Sequence, residues 1–192
     1  MSPRVRLSEA GYYLAAILIL AALTHFVVIL AIPLVAERDA YARVAELGPS
    51  PTTYSLPPAT PSERRFAFAD PAVASAVCRF DLSRGPFRVR APLGRAGFAS
   101  LSFHSRRGAV FYALTDRAAA HGKMEAVIAT PDQLRALIAQ DDEDDPSEDL
   151  RIVSPTPEGF VVARVFSESP DLTPAADAEA GTLACFVDSA SK

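Results

Sequence analysis

Residues 97–117 read GFASLSFHSRRGAVFYALTDR. Ala99, Leu101 and Phe103 alternate with Ser100, Ser102 and His104, the two-residue period of a strand with one buried face. Ser105-Arg106-Arg107-Gly108 turns the chain and residues 109–114 return. The pattern predicts an antiparallel hairpin.

The same grammar extends outward. Upstream, Phe87, Val89 and Ala91 alternate with Arg88 and Arg90, bounded by Gly85-Pro86 and Pro92. That is a half-buried strand with arginines on its wet face. Residues 125–129 form a further apolar strand. Thr130-Pro131-Asp132-Gln133 then supplies an N-cap, a proline at the first helical position and a glutamine three residues after the cap, which predicts a helix start. Leu134, Leu137 and Ile138 give that helix one apolar face. Residues 150–154 and 160–166 read as a second hairpin joined through Pro155-Thr156-Pro157-Glu158-Gly159. Thr173-Pro174 repeats the helix start and leads toward Cys185. Asp70-Pro71 resembles a cap and first residue for a short helix over 72–78. Six or seven strands with two or three short helices predict an α+β domain built on an antiparallel sheet.

Ahead of this domain, residues 11–36 contain no side chain charged at neutral pH unless His25 takes a proton. As a helix the run spans about 39 Å at about 1.5 Å per residue, against about 30 Å for a bilayer core. It predicts a transmembrane helix. The run is too long for a signal peptide, and Pro33-Leu34-Val35-Ala36 is a poor cleavage site. An uncleaved anchor is expected. Arg4, Arg6 and the amino group precede it, and Arg38 and Arg43 follow, a slight lean toward an inside N-terminus. The expected placement is a single-pass inner-membrane protein with a periplasmic C-terminal domain. Tyr12, Tyr13 and Tyr41 fit interfacial anchors. Pro33 suggests a kink. His25 is the intramembrane candidate site, with a neutral imidazole bonded to backbone or to a second helix as the plainer alternative. Tyr41, Val44 and Leu47 recur on one side of a juxtamembrane helix that Gly48 would stop. Residues 48–61 hold five prolines and read as an extended spacer. The expected division is anchor and juxtamembrane helix 1–47, linker 48–61 and exported domain 62–192.

The net charge of −4 over 192 residues conceals segregation. Residues 79–107 hold seven arginines against Asp81, and residues 132–149 hold eight acids against Arg135. The blocks fit three readings: mutual attraction across the fold, two different partners, or solvated faces. The two cysteines, Cys78 and Cys185, suit a disulfide in an oxidising compartment, or two buried thiols otherwise.

Two stretches carry a family resemblance. Residues 25–44, HFVVILAIPLVAERDAYARV, resemble the His…Pro…Ala-Tyr pattern of small bacterial predicted integral membrane proteins. Residues 78–92, CRFDLSRGPFRVRAP, together with residues 97–117 are similar to the domain of unknown function numbered 1254. Its larger members carry Leu-Asp-Leu-Ser-x-Gly-Pro where this chain has Phe80-Asp81-Leu82-Ser83-Arg84-Gly85-Pro86. They also carry Asn-x-Asp-Thr-Leu-Tyr where this chain has residues 72–77, and a second domain beyond the motif. Chemistry residing in those parts is not expected here. The resemblance implies a β-rich, exported or membrane-attached domain of unknown role.

Candidate chemistry is sparse. Ser102, His104, Ser105 and Asp116 contain the residue types of a nucleophile, base and orienter, without a Gly-x-Ser-x-Gly elbow. The competing reading is polar residues on a hairpin. His121 receives no role. The scattered histidines show no metal-ligand spacing, and the acidic run lacks the glycine and ligand spacing of a calcium loop. No metal or cofactor is expected. Arg88, Arg90, Arg106 and Arg107 form the preferred binding candidate, for phosphates, anionic membrane lipid or an acidic envelope protein partner. Nucleic acid is not expected, since no aromatic residues interleave the arginines. Oligomeric state is left open. The leading expectation is a binding or assembly module, and the alternative is an envelope hydrolase using His104 with a nearby serine or Asp116.

Overall fold

The computed structural model describes residues 3–35, 39–60, 62, 66, 69–91, 96–118, 123–141 and 149–188. Two compact units divide at Arg38 and Asp39. The first contains helix α1 (Pro3–Val35), whose segment Glu9–Ile32 is long and apolar enough to cross a membrane. Its side chains from Glu9 onward are almost all exposed within the unit, with Tyr12 and Tyr13 in edge contact. The helix continues through Pro33 to Val35.

The second unit is a two-sheet sandwich. In chain order it holds α2 (Ala40–Ala45), β1 (Thr53–Ser55), β2 (Val73–Asp81), β3 (Phe87–Ala91), β4 (Ala99–Ser105), β5 (Val110–Thr115), β6 (Met124–Ala129), α3 (Pro131–Ala139), β7 (Arg151–Val153), β8 (Glu158–Phe166), α4 (Thr173–Ala180) and β9 (Ala184–Val187). One sheet has the order β1-β2-β8-β4-β5 and the other β7-β6-β3-β9. Every pairing is antiparallel except β6 with β7.

The inner faces share one core. Ala76, Cys78 and Phe80 from β2, Leu101 and Phe103 from β4, and Val161, Ala163 and Val165 from β8 meet Phe87, Val89, Ala126 and Ile128 from the other sheet. Phe80 and Phe87 pack across the sandwich with centroids 6.0 Å apart. Burying each such phenylalanine contributes about 1.5–3 kcal/mol. Gly159 lies opposite Phe80 in the ladder. A Cβ there would collide with the Phe80 ring and the His104 carbonyl oxygen, so the close approach requires glycine. The Cys78–Cys185 disulfide joins β2 to β9, and therefore one sheet to the other.

The α+β class and the predicted hairpin β4–β5 are present, as are the strand at β3 and the helix at α3 with its full capping box at Thr130 and Gln133. Four expectations are corrected. The short helix expected over 72–78 is strand β2: Ala74, Ala76, Cys78 and Phe80 face the core, but Val73 and Val77 on the other face are apolar too, and Val77 is buried under α2, so the sequence alternates only weakly. The hairpin expected from residues 150–166 does not form. β7 joins β6 in parallel in one sheet while β8 lies at the centre of the other. Tyr41 is not an interfacial anchor but is buried against Phe160. Finally, the stretch read as a spacer carries β1, which pairs with β2, and Tyr54 and Leu56 pack beside α2.

Candidate functional site

Sheet register places Ser102 opposite Val162 and His104 opposite Phe160 on the outer face of the five-stranded sheet. Arg164 on β8 is opposite Ser100 on the same face. The two-residue period that made Ser102 and His104 neighbours in sequence brings Ser102 Oγ to 2.9 Å from His104 Nε2. His104 Nδ1 is 3.1 Å from the Gly108 carbonyl oxygen. A carbonyl can only accept, so Nδ1 carries the proton and Nε2 accepts from the serine hydroxyl. Arg164 Nη1 donates to the same Ser102 Oγ at 2.9 Å. The imidazole stacks on Phe160, 4.6 Å between centroids and 7° from parallel.

These are the relations of a nucleophile and a base, in a closed setting. Ser102 and His104 are each only 9% exposed. The hydroxyl donates to Nε2 and accepts from Arg164, leaving one lone pair. Burial, with the nearby Arg164 cation, lowers the His104 pKa below the ordinary imidazole value despite the Gly108 hydrogen bond. Arg164 is exposed overall, but burial at its guanidinium end disfavours its charge. The orienting group is the Gly108 carbonyl, not the expected Asp116. Asp116 follows β5, and its buried Oδ1 has no hydrogen-bond partner among the described residues. Ser105 is buried at the end of β4.

Beside this cluster, α2 is laid against the sheet. Tyr41 and Val44 bury on Val77, Phe160 and Val162. Arg106 from the β4–β5 turn donates to Asp39 Oδ2 at 2.8 Å and lies 4.1 Å over the Tyr41 ring. Its backbone N–H donates to Thr156 Oγ1 at 3.1 Å. Arg79 donates to the Gly48 carbonyl at 2.7 Å. Asp39 also caps α2 by accepting from the Ala42 N–H.

The candidate arginines divide. Arg88 and Arg90 project together from β3, on the opposite side of the molecule's core from His104. Arg88 is 18% exposed in its side chain and donates to Glu125, Asp149 and Asp188. The Asp149 hydrogen bond foremost keeps its guanidinium more firmly protonated than a free arginine. Arg90 makes a two-bond contact to Glu125, and that contact is the main cause holding the Glu125 carboxyl below the ordinary range. Two arginines thus face three carboxylates, and the patch is negative by one charge. The basic and acidic blocks do attract each other here, through Asp149 and Arg88. Arg106 serves α2, whereas Arg107 at the same turn is exposed. Sequence reasoning did not find Arg164 or Glu125, whose roles arise only from pairing between distant strands. His121 and residues 142–148 of the acidic run lie outside the described residues. Among the described residues, no three metal-ligating side chains converge.

The family model described as "Protein of unknown function (DUF1254)" matches residues 52–185. The chain belongs to the DUF1254 family. No curated protein matches. Among solved structures, this DUF1254 chain is similar to the VPA0106 protein from Vibrio parahaemolyticus, with 11% identity and a TM-score of 0.49, covering 64% of this chain and 29% of that one. It is also similar to an uncharacterized protein from Burkholderia cenocepacia, with 12% identity and a TM-score of 0.43, covering 66% and 33%. The chain therefore spans a third or less of the length of these two proteins.

Proposed function

We propose that this DUF1254 chain is a single-pass envelope protein, held in the inner membrane by α1, whose exported sandwich acts as a binding or assembly module. The observation carrying the reading is the disulfide across the two sheets in a chain that opens on an apolar helix. Such bonds persist in oxidising compartments. The helix alone supports anchoring weakly, since an export signal passes the same test of length and composition.

Labelling intact cells with a membrane-impermeant thiol reagent tests the placement. Cys78 and Cys185 should react only after reduction and denaturation of the outer face. Labelling restricted to lysed cells overturns the export. Arginine-dependent binding is best tested at Arg90 and Arg107. Arg88→Glu would put a fourth carboxylate among three, and loss of association there would report misfolding.

The Ser102–His104 contact favours one second reading, a hydrolase. Labelling of Ser102 by a fluorophosphonate probe, abolished in His104→Ala, would establish it. Absence of labelling in the native protein would leave the pair as part of the sheet's polar packing.

A further inference from the structure

The tip of the β4–β5 hairpin is fastened to the first residues of the folded unit. Arg106 is paired with Asp39 at 2.8 Å and reaches Glu158 at 3.8 Å. Gly108, at a φ of +83°, turns the chain so closely past α2 that a Cβ built on it would lie 3.7 Å from the Ala40 side chain. The neighbouring residues point elsewhere. Arg107 and Ala109 are exposed, and Val110 is 57% exposed. A cation followed by uncovered apolar side chains is the composition of an interfacial contact.

Chain length says which interface. The apolar segment ends at Ile32 and α1 at Val35, and Asp39 already belongs to the sandwich. The residues expected to form a spacer come after this point, and Thr53–Ser55 among them pair with β2. Three helical rises from Ile32 and four extended residues from Val35 reach about 19 Å at most. The polar zone of one leaflet is itself about 5–7 Å deep. With α1 in a bilayer, the covalent path alone keeps Asp39 within that reach of the hydrocarbon boundary.

We propose that the β4–β5 tip is a lipid-contacting site, in which the Arg107 guanidinium binds a phospholipid phosphate while Ala109 and Val110 rest on the interfacial apolar layer. This rests on α1 being a membrane anchor, not on which side of the membrane the sandwich lies. The occupant is the bilayer that holds α1. Arg106 and Gly108 position the tip, and Arg107 makes the charge contact.

The test uses the full chain in nanodiscs containing anionic phospholipid and a lipid nitroxide at the headgroup boundary. An environment-sensitive fluorophore is attached at Val110→Cys and, separately, at Glu168→Cys. Glu168 follows the end of β8 opposite the hairpin tip, since Ser105 pairs with Gly159 and Ala99 with Val165. Strong quenching at position 110 and little at 168 is expected. Adding Arg107→Ala should weaken the interaction about five-fold, as for loss of one basic side chain near an anionic surface. Equal quenching at both positions, or none at 110, overturns the proposal. So does displacement by millimolar inorganic phosphate, which would assign Arg107 to free phosphate. A sandwich found in the cytoplasm by thiol labelling would remove the export reading and leave this result standing.

Discussion

At the scale of single residues, His104 has the clearest physical consequence. It is buried between the Phe160 ring and the Ser102 hydroxyl, with Arg164 close by; burial and the Arg164 charge favour the neutral ring and outweigh the Gly108 hydrogen bond, which favours the protonated one. Its folded pKa is lowered while its unfolded value is ordinary, about 6.5. Above about 6.5 both states are neutral and the stabilisation is complete. Below it the unfolded chain takes the proton first, so stability declines by up to about 1.4 kcal/mol per pH unit until the folded pKa is passed. Urea unfolding of the full chain in detergent at pH 7 and pH 5 should show this decline, and His104→Gln should lack that component. An identical pH dependence in the two proteins would contradict it. Arg88 teaches the complementary lesson. Its place on an alternating strand was legible, but the pattern could not say that Asp149 and Asp188, far along the chain, would neutralise it.

At the scale of elements, α2 is six residues long and too short to hold its shape alone. Its structure depends on Tyr41 and Val44 entering the patch of Val77, Phe160 and Val162. Tyr41→Ala should cost about 3 kcal/mol of docking. Opening would then be on the order of a hundred-fold more frequent, and tryptic cleavage after Arg43 correspondingly faster. Tyr41→Phe should stay close to wild type, and an unchanged rate in Tyr41→Ala would show that α2 docks by other contacts. The periodicity of residues 40–47 reveals this apolar face but not its destination; only Tyr41 is expected at the membrane interface, and it is buried in the sandwich instead. The same limit explains β2. In residues 73–81 the core-facing positions begin with the small Ala74, Ala76 and Cys78 while Val73 and Val77 lie on the other face, so the two-residue period is weak in the sequence, and Asp70-Pro71 offers a helix start instead. Where one face is buried and the other polar, as in β3, the alternation is plain in the sequence; α3 is legible through its capping box instead, its apolar side being only half-buried at Leu134 and Leu137 and exposed at Ile138. Proline counting misled at 48–61, because the short edge strand β1 fits between Pro51 and Pro57 and contains none of the five prolines.

At the scale of the whole molecule, the sandwich is closed by one covalent link. Cys78 and Cys185 are 107 residues apart in sequence. A loop of about that length restricts the unfolded chain by about 4–5 kcal/mol in the entropy model. Domains of this kind are stable by only about 5–15 kcal/mol in total, so the bond can be a large share of the whole. The paired variant Cys78→Ala, Cys185→Ala should therefore melt well below wild type and reach a lower level in cells, as partially unfolded protein is degraded. If the oxidation happens outside the cytoplasm, wild type produced in cells lacking the envelope's thiol-oxidising enzymes should fall to the same level. The paired variant should fall no further there, because it has no thiols to oxidise. A wild-type level indifferent to those enzymes would mean that the sheets hold without the bond or that it forms by another route, and would remove the disulfide as the argument for export.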